Sequence, residues 1–194
     1  MTNINIRFQN QQELENWLNV NGIQTDFWGE NRTKSIAHLW QEYIRGEITF
    51  EADPPLRVVL VVQVIVRNQN RILIEAEQEF SNGERRSRNQ MPSEKMKPGE
   101  SVEETAVRCL VEELGVSPQQ ITFLPGGKQR QTVLLSSPSY PGLLTRYTFY
   151  TVETAVTGLP PHPFWQNNKG CQEGDPVCCH HWKWVDADNK SINP

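Results

Sequence analysis

From Ile36 onward the apolar residues fall at i, i+3, i+4, i+7 and i+8, as Ile36, Leu39, Trp40, Tyr43 and Ile44. That spacing is one stripe of a helix. Thr33 or Ser35 offers an N-cap and Gly46 a stop. Residues 11–20 carry Leu14, Trp17 and Leu18 on one side and predict a shorter helix. Glu51-Ala52-Asp53-Pro54-Pro55 breaks the pattern, so residues 1–55 read as a helical N-terminal extension. Its apolar stripe has to be covered, by the rest of the chain or by a second copy.

Beyond Pro55 the period changes. Val58 to Val66 is β-branched and almost continuously apolar, the pattern of a strand covered on both faces. Asn68-Gln69-Asn70 predicts a turn, and Arg71 to Glu77 alternates as a second strand. Phe80 to Lys97 reads as a long polar loop holding Arg85, Arg86 and Arg88. Ser101 to Leu114 is a helix, with strands to follow at 120–124, 130–135, 145–156 and 181–186. Residues 158–180 show no period and read as a long loop. Strands around a helix in one chain of 194 residues predict the α/β class, with residues 56–194 as its main domain.

The chemistry concentrates in Pro92 to Val116. Ser101 and Glu104 form a capping box, and Gly115 supplies the left-handed C-cap. Val102, Ala106, Val107, Leu110, Val111 and Leu114 are the expected buried face. Arg108, Cys109, Glu112 and Glu113 group on another, with Glu100 just before the helix. Adjacent carboxylates are hard oxygen donors suited to Mg²⁺ or Mn²⁺, which fill their shells with water and phosphate oxygens.

Composition narrows the function. The net charge of −4 makes a duplex-DNA partner bound through bulk basicity unlikely on physical grounds. The longest apolar stretch is too short to span a bilayer, and the N-terminus lacks an apolar signal-peptide core. The expectation is a cytoplasmic protein without a membrane partner, whose Cys109, Cys171, Cys178 and Cys179 are thiols. Cys171, Cys178, Cys179, His180 and His181 crowd one segment but lack the spacing of a zinc site; a polar loop entering a strand is the favoured reading.

The segment resembles the signature of the Nudix hydrolases, G-x5-E-x7-R-E-U-x-E-E-x-G-U, where U is a bulky aliphatic residue. Glu100, Arg108, Leu110, Glu112, Glu113, Gly115 and Val116 fall in register without a gap. The resemblance covers roughly residues 56–188. It implies an α/β/α sandwich with a mixed β-sheet, and a loop–helix–loop that cradles divalent cations. It implies hydrolysis of a diphosphate linkage, in a nucleoside diphosphate joined to another moiety, by a metal-activated water. In that scheme Glu112 and Glu113 hold Mg²⁺ or Mn²⁺ with Glu100 assisting. Arg108 orients the carboxylates, and the partner is a small-molecule diphosphate substrate. Two positions depart from the signature. Glu94 replaces its first glycine, and Cys109 replaces the glutamate after the arginine. A thiol is a poor ligand for Mg²⁺, so the alternative is a weakened Nudix-fold module that binds a nucleotide or RNA end.

Other residues are candidates of lower specificity. Glu173 or Asp175 offers a further carboxylate before the last strand. Arg85, Arg86 and Arg88 are candidates to grip the diphosphate of the substrate. Gly126-Gly127-Lys128 lacks the pattern of a phosphate loop. Trp28, Trp40, Phe164, Trp165 and Trp182 are candidates to stack on a base, although most belong in a core. A homodimer is the oligomer to test, with the N-terminal extension as its candidate surface.

Overall fold

A computed structural model describes residues 5–30, 33–126, 128–168 and 177–188. In chain order the elements are β1 (Asn5–Ile6), α1 (Gln11–Val20), α2 (Ile36–Ile44), β2 (Ile48–Glu51), β3 (Leu56–Asn68) and β4 (Arg71–Phe80). There follow β5 (Arg85–Gln90), β6 (Ser93–Lys95), α3 (Val102–Leu114), β7 (Ile121–Phe123), β8 (Gln129–Ser136), β9 (Leu144–Val156), β10 (Phe164–Asn167) and β11 (Val177–Asp186). The α/β class is the one expected. The chain forms two compact units. One comprises residues 1–61, 95–100 and 130–149; the other comprises 62–94, 101–129 and 150–194.

In the first unit, α1 and α2 form where the apolar stripes predicted them. Asn10 caps α1 by accepting from Glu13 N, and Leu14 and Leu18 are fully buried. Ser35 and His38 make a reciprocal capping box at the start of α2. Leu39 is fully buried, with Ile36, Trp40 and Tyr43 half-buried around it. Ile44, expected on the same stripe, is 53% exposed. It is the last helical residue, where the stripe has rotated off the core. These side chains share a core with Phe8, Ile48, Phe50, Val59, Tyr140 and Leu143. Phe8 lies edge-on to Tyr43 and Phe50, with ring centroids 5.6 and 5.5 Å away. At about 1.5–3 kcal/mol per large side chain, this burial is what holds the N-terminal segment. That segment also contains β1 and β2, paired antiparallel; β2 in turn pairs with β3.

One polar group lies in this apolar setting. Glu42 is buried one helical turn from Leu39 and receives Lys34 Nζ at 2.7 Å, Arg57 Nη2 at 2.7 Å and Lys95 Nζ at 2.8 Å. Arg57 is equally buried, and its guanidinium lies 5.0 Å from the centre of the Tyr140 ring. Burial alone would raise the Glu42 carboxyl. The positive charges of Lys95, Arg57 and Lys34 outweigh it and hold the carboxyl down at about 2.

The second unit is built around β4, whose residues Ile72 to Ala76 are continuously buried. It pairs antiparallel with β11 on one side and with β5 on the other, and β11 pairs antiparallel with β10. A tight turn with Gln69 at φ 56° joins the end of β3 to β4, as the Asn-Gln-Asn signal predicted. β7 pairs antiparallel with the end of β9. Among the described residues, three register irregularities interrupt the ladders that β4 makes with β11 and β5. Two lie in β11, between Val177 and Cys179 and between His181 and Trp182; the third lies between Glu75 and Glu77 of β4 where it meets β5.

The polar stretch 80–97 is not one loop. It holds β5, which pairs with β4, and β6, which pairs with β3, because backbone pairing needs no apolar side chains. The stretch 158–180 likewise contains β10 and the start of β11. Cys109 and Cys179 are free thiols as expected, whereas Cys178 is disulfide-bonded. Cys171, Glu173, Asp175 and Gly127 lie outside the described residues. Among the described residues, no helix is long and apolar enough to cross a membrane.

The Glu42 cluster sets an acid limit. A carboxyl whose folded value lies below its ordinary 4.5 adds stability that is present above that pH and is lost as pH falls towards about 2. Glu42→Gln leaves Arg57 buried without its counter-charge, at a cost of about 3–5 kcal/mol at neutral pH. Urea unfolding from pH 7 to 3 is expected to show the difference between wild type and variant shrinking as the pH falls below 4.5. A constant difference would mean that Glu42 does not titrate with folding.

Candidate active site

The site is built on α3. The Ser101 side chain accepts from Glu104 N at 3.1 Å, and the Glu104 carboxylate accepts from Ser101 N at 2.8 Å, closing the expected capping box. Gly115 ends the helix at φ 68°, in the left-handed region. The Cβ that another residue would carry there falls 3.0 Å from Gln166 Nε2. The left-handed conformation calls for glycine, whereas the Gln166 side chain could give way.

The buried face of α3 is rotated from the one expected. Thr105, Ala106, Cys109, Leu110 and Leu114 are buried, while Val102, Val107 and Val111 are only half-buried. Val107 and Val111 instead line a shallow depression with Glu103, Glu104 and Arg108. Cys109 is 0% exposed. Burial pushes its thiol well above the ordinary range, and the charges of Glu113 and Glu94 push it further. It packs in the core as a small apolar side chain.

Four carboxylates gather at one end of this unit. Glu112 is exposed and lies 3.6 Å from Arg108 Nη1, one turn back along the helix. Glu94, on β6, lies 3.7 Å from the same nitrogen. The position where the signature has a glycine therefore contributes a carboxylate and not a bare backbone. Glu113 is half-buried. Burial raises its carboxyl well above the usual range, and repulsion from Glu75, Glu94 and Glu112 adds to the rise, against Arg88.

Glu75 is the member that the sequence pattern did not single out. It stands on β4, buried, with Arg88 Nε donating to Oε2 at 3.1 Å and His180 Nδ1 2.5 Å from Oε1. Burial would raise its carboxyl, but the His180 hydrogen bond and charge, together with Arg88, bring it below the usual value. An acidic residue inside an otherwise apolar run, Ile72-Leu73-Ile74-Glu75-Ala76, was the available signal.

The three arginines diverge. Arg88 joins the carboxylate cluster. Arg86 donates to Gln78 Oε1 at 2.5 Å and lies over the Phe80 ring. Arg85 pairs with Glu79 at 2.9 Å and lies over Trp165, whose ring stacks on His181 at 4.7 Å. Glu100 belongs to the other compact unit, where its carboxylate accepts from Lys97 N at 2.9 Å. Of the aromatic candidates, Trp28 and Trp182 are buried, Trp40 and Phe164 half-buried, and Trp165 exposed. Among the described residues, no three His, Cys, Asp or Glu side chains converge as ligands of one metal ion.

A capped helix carrying an Arg-x3-Glu-Glu turn beside strand carboxylates defines the class: an α/β protein with an acidic, loop–helix–loop site. The NUDIX domain model matches residues 54–189, and the chain belongs to the NUDIX family. Solved structures similar to it include a NUDIX hydrolase from Nitrosomonas europaea, at 21% identity and a TM-score of 0.38 over 53% of this chain and 62% of that one. The Ap4A hydrolase of C. elegans shares 14% identity at a TM-score of 0.36, over 66% of this chain and 80% of that one. The E. coli dihydroneopterin triphosphate pyrophosphohydrolase shares 19% at 0.38, over the same fractions. No curated protein matches the chain.

The burial of Cys109 has a direct consequence. Cys109→Glu places a fourth box carboxylate in the core beside Glu113 and Glu94. An unpaired buried charge costs several kcal/mol, so thermal unfolding without divalent cation is expected to show a large drop in Tm. Cys109→Ala should lower Tm far less. Equal losses in the two variants would mean that position 109 reaches water.

Proposed function

We propose that this chain is a hydrolase of diphosphate linkages, in a nucleoside diphosphate joined to another moiety, and that it works with Mg²⁺ or Mn²⁺. The observation that carries the reading is Glu113. It is a half-buried carboxylate facing the charges of Glu75, Glu94 and Glu112, with Arg88 opposing them. Carboxylates whose charges raise one another's pKa favour a bound cation.

The donor set fits Mg²⁺ in particular. Mg²⁺ is commonly held by one or two carboxylates, and water and substrate phosphate oxygens complete its shell. Three converging protein ligands are therefore not required. Glu112 and Glu113 would hold the ion. A bound cation supplies charge neutralisation on the diphosphate and a more acidic water. Arg108 lies between Glu94 and Glu112 and holds both carboxylates in place. Arg88 anchors Glu75 behind them. Arg85 and Arg86 remain candidates for contact with the diphosphate of the substrate.

A second reading draws on Cys109. The signature's glutamate is replaced there by a thiol enclosed in the core, which leaves the cation one hard ligand short. A nucleotide-binding module of the same fold needs no turnover and tolerates that loss.

The two readings part on turnover. A panel of nucleoside diphosphate derivatives, dinucleoside polyphosphates and nucleoside triphosphates, scored for released phosphate with Mg²⁺ and Mn²⁺, is expected to yield at least one substrate. Glu112→Gln combined with Glu113→Gln should then lower kcat by about 10²–10³-fold, the loss typical of removing electrostatic stabilisation from a transition state. Tight nucleotide binding with no turnover across the panel would favour the binding module.

A further inference from the structure

Three features meet around His180. Its Nδ1 lies 2.5 Å from Glu75 Oε1, and both residues are buried. Arg88 Nε donates to the other oxygen of that carboxylate at 3.1 Å, so Glu75 is held at both oxygens. Nε2 of His180 has no hydrogen-bond partner among the described residues. A carboxylate that accepts from Nδ1–H fixes the ring and its tautomer and leaves Nε2 as the working nitrogen.

The ladders around this pair are irregular where regular pairing would be expected. β11 shifts register on both sides of His180, between Val177 and Cys179 and between His181 and Trp182. The β4–β5 ladder shifts between Glu75 and Glu77. Such bulges re-aim side chains and are concentrated next to active sites. The pair also lies against the end of α3. Gly115 approaches the Gln166 side chain, and Gln166 is the residue opposite His180 in the β10–β11 ladder. The last turn of α3, with Glu112 and Glu113, is thus brought to the strand position that His180 occupies.

We propose that His180 contacts the diphosphate of the substrate through Nε2, and that Glu75, anchored by Arg88, is the positioning residue that aims the imidazole. This rests on the hydrolase reading above and adds a substrate-contacting group outside the acidic helix. A purely structural ion pair would use the same Glu75–His180 contact but would leave Nε2 indifferent to ligand.

The test is a ¹H–¹⁵N long-range spectrum of the four histidine rings of the wild-type chain, recorded with Mg²⁺ as methylenediphosphonate is added. Before addition, His180 is expected to show a protonated Nδ1, a form that Glu75→Gln weakens. On addition, the His180 Nε2 resonance should move in step with the backbone amides of Glu112 and Glu113, while His38 and His162 stay still. Glu75→Gln should weaken binding of the diphosphonate about tenfold or more, as expected for loss of a hydrogen bond to a charged group. His180→Gln should do the same. Shifts at Glu112 and Glu113 with His180 Nε2 unmoved would overturn the proposal and leave the hydrolase reading intact. No shift anywhere with saturating diphosphonate would overturn the diphosphate reading itself and the His180 contact with it.

Discussion

The half-buried carboxylate of Glu113 lies within the field of Glu75, Glu94 and Glu112, and the rest of the second unit is arranged around that constraint. A capping box and a left-handed glycine fix the length of α3 and so fix which turn carries Glu112 and Glu113. Cys109, one turn before Glu113, is turned into the core. Arg108 spans Glu94 and Glu112, and Arg88 and His180 hold Glu75. Each cation offsets part of the repulsion and none removes it. A fold that needed only stability would be expected to replace such a cluster with apolar side chains, because buried charge is costly even when paired.

The first unit meets the same problem and solves it fully. Glu42 is as buried as Glu75, but three cationic side chains reach its two oxygens, and its carboxyl sits far below its ordinary value. That is the signature of a satisfied structural charge. Glu113 is displaced in the opposite direction. The contrast between the two carboxylates, one held down and one pushed up, separates structural charge from the charge we assign to chemistry.

Much of this was legible in the chain. Local signals gave α1, gave α2 and α3 with their N-caps, and the continuous apolar run gave β3. The Glu-x7-Arg-x3-Glu-Glu spacing gave the family. What escaped was set by partners far along the sequence. β5 is a polar strand and β10 a strand of only four residues; each is accepted by an edge of β4 or β11, and no period in their own residues announces it. The buried face of α3 was misplaced by part of a turn, because Thr105 and Cys109 count as weak apolar residues until the sheet covers them. Glu75 and His180 stand 105 residues apart. Periodicity places each on a strand and says nothing of their meeting.

The central claim is that the field at Glu113 is balanced by a divalent cation. A crystal of the wild-type chain soaked in Mn²⁺, with anomalous diffraction collected at the manganese edge, tests it most directly. The account predicts an anomalous peak bounded by the carboxylates of Glu112 and Glu113, lost in a crystal of the Glu112→Gln, Glu113→Gln double variant. A well-ordered α3 with no peak beside it, or a peak that survives the double substitution, would contradict it.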